Sequence, residues 1–416
     1  MHIAIVGAGA SGMIAAIAAA RENPAAQITI FEKQPRAGKK LLATGNGRCN
    51  LTNKTIDGRF YHGSGKPLAE KILNAFGSEE TLRFFRSVGL LEAVQSDGRV
   101  YPFSDRANSV LDVLRMALET HGVTLMCGSA VQNARFKKGR FVLDVACEDK
   151  TQVFFADRLI VCAGGLAAPK LGGTQDGYRI LESFGHQKTK LFPSLTRLLT
   201  DPEYPRALKG IRADAEIRIE RAGKTLAVSA GEIQFTESSV SGPAAFEVSR
   251  CASTQRNCDT VALDLCRGLS EEMLIDCLMR RKRAFAAAPY EEIFTGILHN
   301  RLGKMLVRYA SLPGQKPCTS LTKEDAKALC SAAKHFRLSL RGTADFADAQ
   351  VTAGGIACDL FSETLESMLC PGLYAAGEVL DVDGDCGGYN LQWAWASGYT
   401  AGKSAARENL RKDVSQ

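Results

Sequence analysis

The hexapeptide Gly7-Ala8-Gly9-Ala10-Ser11-Gly12 has GxGxxG spacing, and Glu32 follows about 20 residues after its last glycine. Glycines so spaced let a chain turn tightly, bring its backbone against a pyrophosphate and pack a helix closely on a strand. Glu32, with Lys33 next to it, is placed to accept hydrogen bonds from an adenosine ribose. The chemistry this predicts is the holding of a dinucleotide. A second stretch, ATGNGRCNLTN from Ala43 to Asn53, crowds Gly45, Gly47, Arg48, Cys49 and Asn50 together. A thiol beside a guanidinium is a candidate proton donor, because the cation lowers its pKa. Small polar residues are equally what a loop needs when its backbone must approach a ligand.

These groups need elements to hold them. Ile3 to Val6 is a short apolar run suited to a buried parallel strand, and Gly7 opens an Ala-rich helix to about Glu22, which Pro24 ends. Gln27 to Glu32 reads as the next strand, so the motif sits in a βαβ unit. Lys71 to Thr120 is mainly helical. VTLMCG and RFVLDVACE read as two strands joined by a KKG turn, and Arg158 to Gly165 (RLIVCAGG) as a buried strand.

From about Leu191 the texture changes to alternating segments, including AEIRIERAGKTLAVSAGEIQF, FEVSR and VALDL, which predict a small antiparallel sheet or barrel. Ser270 is a candidate N-cap for a helix with Met273, Leu274, Cys277 and Leu278 on one face, and the helical pattern runs through Leu306. LTKEDAKALCSAAKHF predicts another helix. After Arg341 the glycine-rich texture returns, and a last helix covers Leu391 to Arg411. The expected organisation is a discontinuous nucleotide-binding domain (1–190 and 345–416) interrupted by a β-rich insert (191–268) and a helical insert (269–344). Its class is α/β, Rossmann-like.

The chain of 416 residues is long enough for such a division. Its 13 cysteines are an odd number without a CxxC pair, which argues for reduced thiols, a cytoplasmic location and neither a disulfide framework nor a zinc site. His62, His121, His186 and His299 stand in unrelated contexts and suggest no metal. The uncharged run from Ile3 to Ala20 has no basic segment before it and is broken by Gly7, Gly9 and Gly12, so no membrane span is expected. The net charge of +7 falls almost wholly between residues 191 and 344.

FAD and NAD are separated by the C-terminal part. There LYAAGE (Leu373 to Glu378) is followed by Gly384, Gly387, Gly388 and a helix from near Asn390. A flavin needs such a return, since amides at a helix N-terminus stabilise negative charge on the pyrimidine edge of its reduced ring. No second GxGxxG with strand and acid occurs between Phe192 and Val351, so NAD(P)H is expected to visit transiently as a donor.

GKKLLATGNGRCNLTN (Gly38 to Asn53), VCAGG (Val161 to Gly165), FTESSVSGPA (Phe235 to Ala244) and GLYAAGEVLDVDGDCGGYNLQWAWASG (Gly372 to Gly398) together resemble the BaiN/RdsA family of NAD(P)/FAD-dependent oxidoreductases. The resemblance spans almost the whole chain. It implies that Gly7, Gly9, Ala10, Ser11 and Gly12 hold the pyrophosphate, Glu32 and Lys33 the ribose side, and Val131 the adenine through its backbone. It places Lys40, Gly45, Gly47, Arg48, Cys49 and Asn50 beside the flavin. Ala163 and Gly164 match an "ATG"-like segment of flavoproteins. Gly377 and Glu378 would approach the phosphate and ribityl groups, and Gly388, Asn390, Leu391 and Gln392 the pyrimidine edge. The segment after Gly165, LAAPKLGGTQDG, departs from the pattern by lacking a Ser or Thr close to the proline.

The resemblance also implies reduction of an activated C=C bond, in a steroid-like or bile-acid-like enone or in the uracil ring of ribosomal RNA. Cys49, Tyr389 and Cys386 are candidate acids, with Arg48 to stabilise an enolate. Arg280-Arg281-Lys282-Arg283 reads either as a solvated helix face or, with Arg301, Lys304 and Arg308, as a phosphate contact. A small molecule is the favoured substrate, ribosomal RNA the alternative, and a non-catalytic flavin-binding redox sensor a third reading.

Overall fold

The computed structural model describes residues 1–147 and 150–407. It divides into two compact units, one of Met1–Phe192 with Val351–Gln416 and one of Pro193–Gln350.

The first unit is built on a five-stranded parallel sheet in the order Leu373–Ala375, Arg158–Val161, His2–Val6, Gln27–Glu32, Thr124–Cys127. Its central strand is apolar on both faces, with Ile3, Ala4 and Ile5 fully buried, because the sheet packs both on helices and on a three-stranded antiparallel sheet of Ser129–Lys137, Arg140–Cys147 and Lys150–Ala156, where Phe154 meets Phe31 edge to face at 4.9 Å. The helix Ala10–Glu22 follows that strand and lies against the C-terminal helix Tyr389–Ala406. Their approach is close because glycines face the partner backbone. A Cβ on Gly398 would stand 2.3 Å from the Ser11 carbonyl oxygen, and one on Gly402 2.1 Å from that of Ala15.

The second unit holds a closed barrel of six strands, ordered Leu198–Thr200, Ser239–Ser241, Lys224–Phe235, Arg212–Arg221, Thr260–Asp264, Phe336–Thr343. The helices Pro243–Thr254, Glu271–Ala284, Asn300–Tyr309 and Lys323–Lys334 belong to the same unit. Barrel residues Ile217, Leu263 and Phe336 and helix residues Leu274, Leu306 and Leu329 share one apolar cluster. The predicted fold class is what is observed, a Rossmann-type domain interrupted by a barrel and helices.

Several local expectations are corrected. KKG does not join VTLMCG to RFVLDVACE. Thr124–Cys127 pairs in parallel with Gln27–Glu32, and the turn at Lys138 and Gly139 joins Ser129–Lys137 to Arg140–Cys147. FEVSR is helical, because Gly242 at φ +100° and Pro243 start a helix through that stretch. Ser270 does cap its helix, accepting from the Met273 amide, and Leu274 and Leu278 are buried. Met273 itself is 57% exposed, so it lies off the apolar face. That helix ends at Ala284 and does not run to Leu306; Pro289 precedes a short 3-10 turn, and a new helix starts at Asn300. The last part of the expected C-terminal helix, residues 408–411, lies outside the described residues.

Candidate cofactor cradle and active site

The GxGxxG turn is fixed by its neighbours on one side only. Gly7, at φ +100°, has no room for a side chain, since a Cβ would fall 2.5 Å from the Cys162 carbonyl oxygen. A Cβ on Gly12 would lie 1.9 Å from the Gly7 oxygen. Gly9 is different: a Cβ there would meet no heavy atom within 4 Å. The protein requires Gly7 and Gly12 for its own packing, whereas Gly9 borders open space at the N-terminus of the helix Ala10–Glu22. Ala10 and Ser11 form its first turn.

Glu32 ends the second strand with its carboxylate under this turn. Oε2 accepts the Ala8 amide at 2.8 Å and Oε1 the Gln34 amide at 2.8 Å. The acid therefore also shapes the glycine turn, and a carboxylate has lone pairs beyond these two bonds for a further donor. Lys33 pairs with Asp176 at 3.7 Å. Val131 is buried at a break in register between its strand and Arg140–Cys147, which interrupts the ladder beside it. Ala163 packs on the core, and a Cβ on Gly164 would meet nothing within 4 Å.

The hydroxyl missing from the loop after Gly165 comes from elsewhere. Thr352 Oγ1 accepts the amides of Leu166 and Ala167, each at 2.9 Å. Glu378 accepts the Thr352 amide at 2.9 Å on one oxygen and the Lys40 ammonium at 2.6 Å on the other. Gly377, at φ +79°, faces the GxGxxG helix, where a Cβ would stand 2.6 Å from Ser11 Oγ. Trp393 Nε1 donates to the Gly377 oxygen and Ser397 Oγ accepts its amide, at 3.1 Å and 2.9 Å. These contacts bring the N-terminal and C-terminal glycine motifs together.

The second glycine loop has an unusual backbone. Gly45, Asn46, Gly47 and Cys49 all have positive φ, at 56°, 60°, 85° and 62°. Cys49 is fully buried, and burial pushes its thiol up to about 12 against a weaker hydrogen bond from Thr44. This reverses the lowered thiol pKa expected from the neighbouring guanidinium. Arg48 turns to Asp105 and stacks on Tyr101 with its guanidinium carbon 4.1 Å from the ring centroid. Asn50 is 9% exposed and its Oδ1 is a buried acceptor without a protein donor. A Cβ on Gly388 would fall 2.9 Å from this oxygen, and a buried orphan acceptor beside a glycine suits a ligand with an N–H to give.

At the C-terminal helix, Gly388 (φ +103°) precedes Tyr389, and a Cβ there would fall 2.6 Å from the Thr52 backbone. The Gln392 amide already bonds to the Gly388 oxygen, so the amides outside the helical ladder are those before it, including Asn390 and Leu391. The Gln392 side chain is fully buried, accepting from Thr52 and Thr81 and donating to the Phe76 oxygen, which makes it a brace. The Asn390 side chain clamps Gly384 and Asp385. Tyr389 stacks on Phe60 with centroids 4.5 Å apart and is 6% exposed. Among the residues passed over in sequence, His62 Nε2 lies 2.7 Å from Asp385 Oδ1. No spacing signal connects two positions that distant.

Two of the four residues of the basic run are engaged, while Arg280 and Arg283 are exposed. Arg281 donates to the Thr295 oxygen and Lys282 to that of Leu321; Arg301 donates to the Ala207 oxygen, and Lys304 pairs with Glu292 at 3.0 Å. Among the described residues no helix is long and apolar enough to cross a membrane, and no group of three His, Cys, Asp or Glu could hold a metal.

A parallel sheet with a glycine turn, an acid on the next strand and a returning C-terminal helix defines a nucleotide-binding protein of Rossmann type. The chain matches the HI0933-like protein Rossmann domain over residues 1–404, and it belongs to that family. The 3-dehydro-bile acid delta(4,6)-reductase of Clostridium scindens is 38% identical over 418 residues, covering 97% of this chain and 99% of that protein. A ribosomal RNA dihydrouridine synthase of Haemophilus influenzae is 28% identical over 413 residues, covering 97% and 98%. The structure of a 3-ketosteroid delta1-dehydrogenase from Sterolibacterium denitrificans shares the fold at 14% identity and a TM-score of 0.50, covering 97% of this chain and 99% of that one.

Proposed function

We propose that this protein is an FAD-dependent oxidoreductase that saturates an activated carbon–carbon double bond of a small steroid-like enone, with NAD(P)H as the donor. The observation that carries the reading is the cradle itself. Gly9 and Gly164 border open space, Asn50 Oδ1 is an orphan acceptor, and the Asn390 and Leu391 amides precede the first bond of the helical ladder, Gln392 to Gly388. These residues fit FAD. The 38% identical bile acid reductase supports the substrate class. All 13 cysteines are free, and a cytoplasmic location is part of this reading.

When bound, FAD would accept electrons from the donor and supply hydride equivalents to the alkene. The chain's own contribution is placement and electrostatics. The helix starting at Ala10 offers its N-terminal amides to the pyrophosphate, and Glu32 offers lone pairs to the ribose. The Lys40 and Glu378 pair would hold the ribityl side. Amides at Asn390 and Leu391, supported by the helix dipole, would stabilise negative charge on the pyrimidine edge. Arg48, 37% exposed on its Tyr101 platform, would have to share its guanidinium between Asp105 and an enolate oxygen.

The RNA reading rests on the 28% identical synthase. It is weakened because Arg281, Lys282, Arg301 and Lys304 already have partners within their own unit. Anaerobic stopped-flow mixing tests the proposal. NADH or NADPH should bleach the flavin absorbance, and a 3-oxo-delta-4 steroid should restore it with formation of the saturated ketone. Restoration only by a ribosomal RNA fragment would favour the synthase, and no bleaching by either donor would favour a non-catalytic flavin protein.

A further inference from the structure

We propose that His62, oriented by Asp385, is the acid that gives the proton completing alkene reduction. This rests on the functional reading above. The imidazole lies on the short strand Tyr61–His62, which pairs antiparallel with Asp383–Gly384 immediately before the turn into the C-terminal helix. Asp385 is fixed from both sides. Its amide donates to the Phe60 oxygen at 3.0 Å, and its carbonyl accepts from Asn390 Nδ2 at 3.3 Å. The same Asn390 side chain holds Gly384 through 2.9 Å and 2.6 Å bonds. The residue that meets His62 is thus tied through its backbone to the first turn of the helix whose amides would serve the flavin's pyrimidine edge.

The pair has the form of an acid–base dyad. His62 Nε2 lies 2.7 Å from Asp385 Oδ1, which selects the tautomer and leaves Nδ1 as the nitrogen not engaged by that carboxylate. The two side chains are 31% and 29% exposed, so the dyad is anchored yet open to a ligand. Of the competing acids, Cys386 is half-buried beside Asp385 but carries a thiol, a weaker acid than an imidazolium, and the other two are worse placed. The Cys49 thiol is fully buried, and Tyr389 is 6% exposed, between Phe60 stacked on it and Tyr61 against its edge.

The step balances simply. The alkene gains a hydride at its electron-poor carbon, with the electron pair drawn from the NAD(P)H-derived reducing equivalents. It gains a proton from imidazolium His62 at the adjacent carbon. The C=C π bond is replaced by two C–H bonds, and the neutral imidazole takes a proton back from water. Asp385 is a positioning residue.

His62→Gln and Asp385→Asn test this in the full-length holoprotein. H62Q should hold FAD at the wild-type ratio and be bleached by the donor at the wild-type rate, yet be reoxidised by the enone roughly 100- to 10,000-fold more slowly. D385N should slow the same step by about tenfold or more, because the ring loses its orienting partner. A readout independent of turnover is the nitrogen-15 spectrum of the six histidines. The Nε2–H signal assigned through H62Q should shift in D385N. Reoxidation of both variants at the wild-type rate, or a His62 signal indifferent to D385N, overturns the proposal. Wild-type protein that no enone reoxidises overturns the functional reading instead.

Discussion

Replacing Gly9 by Ala adds a Cβ that no protein atom meets within 4 Å, while the same change at Gly12 drives one to 1.9 Å from the Gly7 oxygen. Gly9→Ala should therefore leave the thermal midpoint of the flavin-free protein unchanged and weaken FAD at least tenfold, as titration of flavin fluorescence would report. Gly12→Ala should lose about 3 kcal/mol or more of folding stability in urea denaturation. Glu32→Gln removes one acceptor for a backbone amide and should cost FAD binding about 1.5 kcal/mol, close to tenfold in Kd. Cys49→Ala should keep both flavin and turnover. A thiol that is fully buried and raised to about 12 is a poor proton donor at neutral pH, so removing it touches packing alone.

Between elements, the contact of Ala10–Glu22 with Tyr389–Ala406 joins the two glycine motifs. Gly402→Ala would force a Cβ to 2.1 Å from the Ala15 oxygen. It should destabilise the first unit by about 3 kcal/mol, measured by chemical denaturation, and weaken FAD through displacement of the helix N-terminus. Trp395, whose Nε1 donates to the Leu51 oxygen at 2.9 Å, and Gln392 hold the same helix to the Cys49 loop. Much of this was legible in sequence: the βαβ unit, the glycine turn and the returning helix all have local signatures. FEVSR was not legible, because an alternating pattern suits a strand until Gly242 and Pro243 are seen to open a helix.

For the molecule as a whole, buried thiols dictate a response to alkali. Burial raises Cys49, Cys162 and Cys358 from 9.0 to about 12. A group whose folded pKa lies above its unfolded value contributes stability that is complete below pH 9.0 and lost as pH rises toward about 12. The thermal midpoint should fall across that window under reducing conditions, and Cys49→Ala should fall less steeply than wild type. Calorimetry at a series of pH values checks both.

The sequence by itself determined the Rossmann-type class, the dinucleotide motif and the interruption by a barrel, because strand–turn–helix spacing and alternation act over a few residues at a time. Only the tertiary structure decided which chemical groups are usable. It buried Cys49 and packed Tyr389 under Phe60. It lent the loop after Gly165 a hydroxyl from Thr352, and brought His62 to Asp385 across 323 residues of chain. Burial and long-range hydrogen bonds arise when distant segments pack, and no local spacing records them.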